Sequence, residues 1–226
     1  MEKGNKVSAI DVLLFIPNII DFSRIVLYSI AFYFARTNYV ITTSCFIVGI
    51  ILDEFDGRAA RYFHQESKLG AMLDIMTDRV GNVCLILNIV NFYPDYTLLF
   101  QLSIYVDIVG HWLYIHHSAL TGSYHQDMKG GNYFLRLYYS NRMLLSLLVD
   151  GNEIFHLMLY LLHFTEGPML NLPGLNIGLV RLALYAFTPV MIAKCCFFNV
   201  VHLYDSIWSM AKLDADLQND KKTKAN

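Results

Sequence analysis

Six windows of about 20 mostly apolar residues dominate the chain, and they constrain its fold more than any other feature. A helix of that length crosses the hydrocarbon core of a bilayer, where every backbone polar group needs a partner within the protein. Hydrophobic residues make up 55% of the 226 residues and charged residues only 16%, which excludes an ordinary soluble domain. The windows cover residues 17–35, 39–60, 71–93, 96–116, 143–164 and 177–205.

This pattern predicts an all-α, polytopic membrane protein with six transmembrane helices. An apolar stretch over residues 8–16 precedes the first window and predicts a short N-terminal helix lying at the membrane interface. The connections are short except for residues 118–142, and a polar tail begins at about residue 206. We therefore expect a single membrane domain over residues 1–226.

The distribution of Lys and Arg predicts the orientation in the membrane. These residues are concentrated at the N-terminus, in the second and fourth connections and in the tail, whereas the first, third and fifth connections together contain only Arg36. Cytosolic loops of membrane proteins carry the excess of Lys and Arg. Both termini and the turn between the second and third spans are therefore expected on the cytosolic side.

Four aspartates lie on the two helices that flank this cytosolic turn. Asp53 and Asp56 are three residues apart, and Asp74 and Asp78 are four apart, so that each pair shares one helix face. Carboxylates this close together repel one another unless cations lie among them. Hard oxygen ligands, with no His or Cys in the set, favour Mg²⁺ or Mn²⁺ over zinc.

Other residues of the same stretch are suited to a phosphate ligand. Gly57 and Gly70 allow a ligand or a backbone to come close. Arg61 follows Asp56 by little more than one helical turn, and its guanidinium can bind a phosphate that the metal ions also hold. Arg79 has two interpretations: it contacts substrate phosphate, or it balances the charge of the neighbouring aspartates.

The spacing of these residues resembles the signature of the CDP-alcohol phosphatidyltransferase family. The stretch reads Asp53-x-x-Asp56-Gly57-x-x-Ala60-Arg61, then eight residues, Gly70, three residues, Asp74, three residues and Asp78. Within the family, the chain is similar to eukaryotic members that use inositol as the acceptor. This likeness runs from near residue 15 to near residue 170 and then fades; it is carried by FIPNIIDFSRIVL, KLGAMLDIMTDR, QLSIYVDIVGHWLY, LRLYYSNR and LYLLHFTEGP.

The resemblance implies a reaction as well as a fold of six transmembrane helices. The phosphatidyl group would pass from CDP-diacylglycerol to myo-inositol, giving phosphatidylinositol and CMP, by in-line attack of an inositol hydroxyl with two divalent ions, Mg²⁺ or Mn²⁺. The ligands of those ions would be Asp53, Asp56, Asp74 and Asp78, and Asp78 would also be the general base.

The resemblance also implies contacts with the CDP part of the lipid substrate, by Gly57, Arg61 and Ser67. Asn18 and Arg24, in the first span, match a weaker family pattern near the nucleotide. From the residues alone, Ser67 is interpreted as a turn residue.

Polar residues of the later spans leave their roles open. Arg136 and Arg142 are interpreted as interfacial anchors on the cytosolic side, or alternatively as residues that orient the acceptor alcohol. Asp107 and His111 are four residues apart in the fourth span and predict a paired, buried polar face.

Two other functions remain open from the sequence. The signature serves the CDP half of the substrate and does not distinguish inositol from glycerol phosphate or serine as acceptor. A protein of another class, a divalent-cation transporter, also needs membrane carboxylates, but transport sites usually lie near the bilayer midplane and not at one edge.

Partners and location complete the sequence predictions. The substrates and the lipid bilayer are the expected partners, and no nucleic acid is expected. The family likeness implies a homodimer. The tail carries Lys222-Thr-Lys224 near its end, which resembles a dilysine retrieval signal and predicts the endoplasmic reticulum membrane.

Overall fold

A computed structural model describes residues 7–122, 133–172 and 175–225, and these residues are almost entirely helical. Lys3, Lys6 and Lys129, on which part of the predicted orientation depends, lie outside the described residues. The helices are α1 (Ala9–Leu13), α2 (Ile16–Phe34), α3 (Tyr39–Tyr62), α4 (Lys68–Phe92), α5 (Thr97–Thr121), α6 (Tyr133–Ser140), α7 (Arg142–Leu162), α8 (Leu179–Ile192) and α9 (Asn199–Ala225). Two strands, β1 (Met169–Leu172) and β2 (Leu175–Gly178), pair in a small sheet.

The predicted all-α class is confirmed, and each apolar window contains a helix. The strands lie in the fifth connection, where the sequence predicted only a link. The last window holds two helices, α8 and α9, joined by a π-helical segment over Ala193–Phe198. Helix α9 continues through the polar tail as far as Ala225.

By length and composition, three helical segments of the described chain are able to cross a membrane: Pro94–Thr121, Arg142–Leu162 and Leu179–Lys224. Together with the many large apolar side chains exposed on the helices, they indicate a membrane protein. Helices α2, α3 and α4 are also long, but the charged residues of the predicted site lie on them and reduce their apolar character. The count of six spans therefore stays a prediction.

The described chain divides into two compact units. The first contains the residues up to Phe92 together with His156–Met169, and the second contains Tyr93–Phe155 and the residues from Leu170 onward. In the first unit, α2 packs against both α3 and α4.

One aromatic ring marks the junction of α2, α3 and α4. Tyr28 of α2 is buried and stacks on Phe46 of α3, with 4.9 Å between ring centroids. A Cβ at Gly81 of α4 would lie 2.8 Å from the Tyr28 ring, and a Cβ at Gly49 of α3 would also overlap it. The two glycines therefore let both helices approach the same ring.

Backbone hydrogen bonds end α3 and shape the turn that leads to α4. His64 adopts a left-handed conformation with φ of 54°, the Gln65 amide donates to the Ala60 carbonyl at 2.9 Å, and the His64 amide donates to the Arg61 carbonyl at 3.4 Å. This is the Schellman arrangement that ends many helices. The Gln65 side chain then accepts a hydrogen bond of 2.9 Å from the Ile16 amide, which ties the start of α2 to this turn.

Helix α1 lies in the stretch that was predicted to form a helix at the membrane interface. Its N-terminus has a capping box, in which the Ser8 amide donates to Asp11 Oδ2 at 2.8 Å and the Asp11 amide donates to Ser8 Oγ at 3.2 Å. These hydrogen bonds lower the pKa of the exposed Asp11 carboxyl from its ordinary value. The position of α1 at the interface stays a prediction.

In the second unit, α5 packs against α9 where Gly110 faces the backbone of Leu203. On α5, Asp107 is buried and its Oδ1 lies 3.4 Å from His111 Nδ1, a nitrogen that is also 2.8 Å from the Asp107 carbonyl oxygen. The π-helical segment places residues five positions apart on one face, so that the buried Lys194 donates to Asn199 Oδ1 at 2.7 Å.

Candidate functional site

The guanidinium of Arg24 lies at the centre of the candidate site. Arg24 is fully buried on α2, and its Nη1 lies 3.3 Å from Asp21 Oδ1 and 3.2 Å from Asp56 Oδ2. Its Nη2 lies 2.6 Å from Asp53 Oδ1. Three carboxylates from two helices therefore share one cation.

Helix α4 contributes two more carboxylates to the same guanidinium. Asp74 Oδ1 lies 3.4 Å from Arg24 Nη1, and Asp78 Oδ1 forms an ion pair with Arg24 Nη2. All four aspartates of the signature are thus brought together, as their helical spacing predicted. The sequence assigned Arg24 to the nucleotide, whereas the structure places its guanidinium among the carboxylates.

The five carboxylates form two groups of three. Oxygens of Asp21, Asp56 and Asp74 lie within 4.8 Å of one another, and so do oxygens of Asp53, Asp74 and Asp78. Asp74 belongs to both groups. An arrangement in which one carboxylate is shared by two groups of oxygen ligands is suited to two neighbouring divalent ions.

The site is buried at one end and open at the other. The side chains of Asp21 and Asp56 are 2% and 8% exposed, whereas those of Asp53 and Asp74 are 26% and 43% exposed. The site is therefore accessible from outside at Asp53 and Asp74.

The charges of the site also fit divalent ions. Besides Arg24, the only other ion-pair partner of the signature aspartates among the described residues is Arg79, whose Nη2 lies 3.7 Å from Asp78 Oδ2. The two positive charges of Arg24 and Arg79 do not balance the five negative charges of the carboxylates in the two groups. In addition, Asp53 Oδ1 is buried and accepts no hydrogen bond of good geometry from the described residues. The donors are all carboxylate oxygens, which is the set that Mg²⁺ and Mn²⁺ prefer.

The other arginines of the signature region have separate surroundings. Arg58 pairs with Glu54 on the exposed side of α3, with 2.7 Å between Arg58 Nη2 and Glu54 Oε1. Arg61 is exposed and forms no ion pair with any described residue within 4.0 Å. If Gly57 carried a Cβ, the nearest described atom outside the local helix backbone would be Arg61 Nη1, at 3.5 Å. The Arg61 side chain therefore borders the space beside Gly57.

Asn18, Ser67 and Gly70 form a contact at the start of α4. Ser67 Oγ accepts a hydrogen bond of 3.0 Å from the Gly70 amide and caps the helix. A Cβ at Gly70 would lie 2.6 Å from Asn18 Oδ1, so glycine is needed for the close approach of α2. The Asn18 amide donates to the Val12 carbonyl at 2.6 Å, while its buried Oδ1 has no hydrogen-bond partner among the described residues.

The two arginines considered for the acceptor lie in the second unit. Arg136 is on α6 and Arg142 begins α7, and both side chains are exposed. Exposure is compatible with an anchor at the membrane surface and with contact to a soluble acceptor.

Sequence reasoning missed Asp21. It lies in the first apolar window, three residues before Arg24 and on the same helix face, and a buried charge in such a window is itself a signal of function. The family signature begins at Asp53 and therefore does not include it.

Comparison with known proteins supplies the family. The family model described as CDP-alcohol phosphatidyltransferase matches residues 14–163, which is more than half of the chain. The chain belongs to the CDP-alcohol phosphatidyltransferase family. The match of this phosphatidyltransferase model includes all five clustered aspartates and Arg24.

Curated relatives cover nearly the whole chain. CDP-diacylglycerol–inositol 3-phosphatidyltransferase of Homo sapiens is 40% identical over 94% of this chain and 98% of its own length. The Drosophila melanogaster protein of that name is 37% identical over 95% and 93%, and the Saccharomyces cerevisiae protein is 30% identical over 96% and 94%. The likeness therefore extends past residue 170, where the sequence interpretation had it fade. No solved structure matches the chain.

Proposed function

We propose that the chain is a phosphatidylinositol synthase, which transfers the phosphatidyl group of CDP-diacylglycerol to myo-inositol and releases CMP. The observation that carries this proposal is the convergence of the four signature carboxylates from α3 and α4 on one point. The names of the curated relatives support inositol as the acceptor, because these proteins are similar over nearly their full length.

In the proposed reaction one phosphorus–oxygen bond forms and one breaks. The inositol hydroxyl oxygen attacks the phosphorus of the phosphatidyl group, the bond from that phosphorus to CMP breaks, and the hydroxyl proton passes to Asp78. The family resemblance assigns this role to Asp78, whose carboxylate is 13% exposed and lies in the group of oxygens that it forms with Asp53 and Asp74. Such a transfer depends on charge neutralisation and positioning more than on covalent chemistry by the protein.

Asp53, Asp56, Asp74 and Asp78 would hold two divalent ions, Mg²⁺ or Mn²⁺. When bound, these ions neutralise charge on the diphosphate and on the leaving CMP. The two carboxylate groups that share Asp74 support this assignment, as does the excess of negative charge around Arg24.

For the CDP group we propose contacts with Gly57 and Arg61. Gly57 leaves space beside the helix, and the exposed Arg61 guanidinium borders that space and is suited to a phosphate oxygen. Ser67 and Asn18, the further residues proposed near the CDP group, meet at the start of α4, where the Ser67 hydroxyl caps the helix and Asn18 contacts Gly70. Arg24 acts through the carboxylates that it contacts.

Arg136 or Arg142 would orient the inositol, and the alternative role for each is an interfacial anchor. Both residues are exposed, which is compatible with contact to a soluble polyol. Each arginine can be replaced by Ala to separate these roles. A higher KM for inositol with an unchanged KM for CDP-diacylglycerol would support the acceptor role, whereas equal effects on both or none would support the anchor role.

We further propose that 1–226 form one membrane domain with six spans, with both termini and the active site on the cytosolic side of the endoplasmic reticulum membrane. The three apolar helical segments and the Lys and Arg asymmetry support this topology. A homodimer is the assembly that the family likeness implies.

The test supplies purified protein with CDP-diacylglycerol and, in separate reactions, inositol, serine or glycerol phosphate, and identifies the lipid formed. We expect phosphatidylinositol and an equal amount of CMP with inositol alone. Chelation of divalent ions should abolish CMP release, and added Mg²⁺ or Mn²⁺ should restore it.

Other outcomes identify the alternatives. Phosphatidylserine or phosphatidylglycerol phosphate as the product would keep the family and change the acceptor. A flux of divalent ions into liposomes without any CMP release would favour a cation transporter.

A further inference from the structure

Asp21 has surroundings that the proposed reaction does not yet explain. Its side chain is 2% exposed, it lies on α2, and its nearest cation is Arg24 Nη1 at 3.3 Å. A buried carboxylate requires a cation or several hydrogen-bond donors. The single positive charge of Arg24 does not fully balance the charge of Asp21, because four other carboxylates contact the same guanidinium.

The position of the Asp21 oxygen is that of a ligand in a group of three. One oxygen of Asp21, one of Asp56 and one of Asp74 all lie within 4.8 Å of one another. Each of the three residues comes from a different helix, α2, α3 and α4. Without Asp21 this group would contain two carboxylates, whereas the group of Asp53, Asp74 and Asp78 would keep three.

We infer that Asp21 is a fifth metal ligand, which binds the same divalent ion as Asp56 and Asp74. This inference rests on the proposed function, since it concerns one of the two proposed ions. A third carboxylate adds a negative charge to the more buried of the two groups, and the affinity of oxygen sites for divalent ions rises with the number of charged ligands. The ion held at this group is therefore bound more tightly than it would be by the signature residues alone.

The first experiment measures metal binding without turnover. Purified wild-type protein and Asp21→Asn are titrated with Mn²⁺, and the free ion is followed by electron paramagnetic resonance. We expect two Mn²⁺ per wild-type chain, and a loss of at least tenfold in affinity for one of them in Asp21→Asn. Asn keeps the size of the side chain and Arg24 keeps its other carboxylates, so the variant should retain its fold; circular dichroism and the melting temperature check this.

The second experiment distinguishes a ligand from a residue that only positions Arg24. Asp21→Cys replaces a hard oxygen ligand by a thiolate, which favours Cd²⁺ over Mg²⁺. Ser23→Cys is the matched control, because Ser23 is exposed on the same helix and its hydroxyl bonds only the Ile19 carbonyl of that helix. We expect Asp21→Cys to bind Cd²⁺ at least tenfold more tightly than wild type, with a new sulfur-to-cadmium absorption band, and Ser23→Cys to show neither change.

The outcomes separate this inference from the proposed function. If wild-type protein binds no Mn²⁺, the proposed metal site fails, and the fifth ligand with it. If wild type binds two ions and Asp21→Asn binds them with the same affinity, Asp21 is only a partner of Arg24 and the inference is overturned. The inference is also overturned if Asp21→Asn loses Mn²⁺ but folded Asp21→Cys gains no cadmium band. Should Asp21→Asn fail to fold, the cadmium result decides.

Discussion

At the scale of single residues, the site depends on one guanidinium that five carboxylates share. Arg24 is fully buried and contacts carboxylates from α2, α3 and α4, so that it orients side chains from three helices at once. Within this set the proposed roles differ, because Asp78 would accept a proton as well as help to hold an ion, whereas Asp53, Asp56 and Asp74 would only hold ions.

Asparagine variants separate these roles. Asp78→Asn keeps the size of the side chain and one oxygen ligand but cannot accept a proton at neutral pH, so turnover should fall by roughly 10²–10⁴-fold while CDP binding in Mg²⁺ is kept. Asp56→Asn should weaken metal and CDP binding together. Calorimetry with CDP and initial rates measure the two effects. Near-normal turnover of Asp78→Asn would rule out this residue as the base.

Two glycines of the signature should respond in opposite ways to alanine. At Gly70 the new Cβ would lie 2.6 Å from Asn18 Oδ1, and we expect a loss of about 1–3 kcal/mol in the free energy of unfolding. At Gly57 the nearest atom is the flexible end of Arg61 at 3.5 Å, so Ala should stabilise the helix by up to about 1 kcal/mol.

Substrate binding provides the second readout for this pair. Gly57→Ala should weaken CDP-diacylglycerol binding although the protein is no less stable, because the methyl group enters the space proposed for the nucleotide. Thermal unfolding in detergent and substrate titration measure both quantities. Unchanged substrate affinity in Gly57→Ala would contradict the proposed contact.

At the scale of elements, the arrangement of α2, α3 and α4 determines the site. The signature lies on α3 and α4, and the main packing in this unit is of α2 on α3 and of α2 on α4. The Schellman motif at His64 ends α3, and the Gln65 side chain then connects the turn before α4 to the start of α2.

Substitutions at His64 test the turn. Its backbone has φ of 54°, a conformation that is unfavourable for residues with a Cβ by roughly 1–2 kcal/mol. His64→Gly should therefore raise the free energy of unfolding by about 0.5–1 kcal/mol, after allowance for the greater freedom of glycine in the unfolded chain. His64→Val should lower it, since β-branched residues rarely adopt this conformation. Melting curves in detergent measure both effects. A higher melting temperature for His64→Val than for His64→Gly would contradict the left-handed conformation of residue 64.

At the scale of the whole molecule, two kinds of helix bear on the membrane topology. Three apolar segments meet the length and composition of a span, while α2, α3 and α4 combine long helices with the charged site. Charged residues in such helices are tolerated where they face the protein interior and pair with one another, as the aspartates do with Arg24.

Labelling of single cysteines tests the six-span topology. In a variant whose four native cysteines are replaced, a cysteine at Lys68 should react from the cytosolic side and a cysteine at Asp95 from the lumenal side, because α4 lies between them. An impermeant maleimide applied to intact or opened vesicles measures this. Reaction of both positions from the same side would exclude a membrane crossing by α4.

Much of this architecture follows from local sequence patterns. Hydropathy windows predicted where helices form, because the length and the apolar character of a helix are properties of consecutive residues. The spacing of Asp53 with Asp56, and of Asp74 with Asp78, predicted two acidic helix faces for the same reason. The π-helical segment and the strands were missed, since the apolar pattern around them does not differ from that of a helix or a link.

The sequence by itself determined that the chain is a helical membrane protein of this family and that its four signature aspartates belong together. Only the tertiary structure decided what lies between them. Arg24 contacts signature aspartates that are 29 to 54 positions away along the chain, from Asp53 to Asp78, and the same packing of α2 brings in Asp21. Such contacts depend on how three helices pack and on which faces they turn inward, and neither is contained in the periodicity of any one helix.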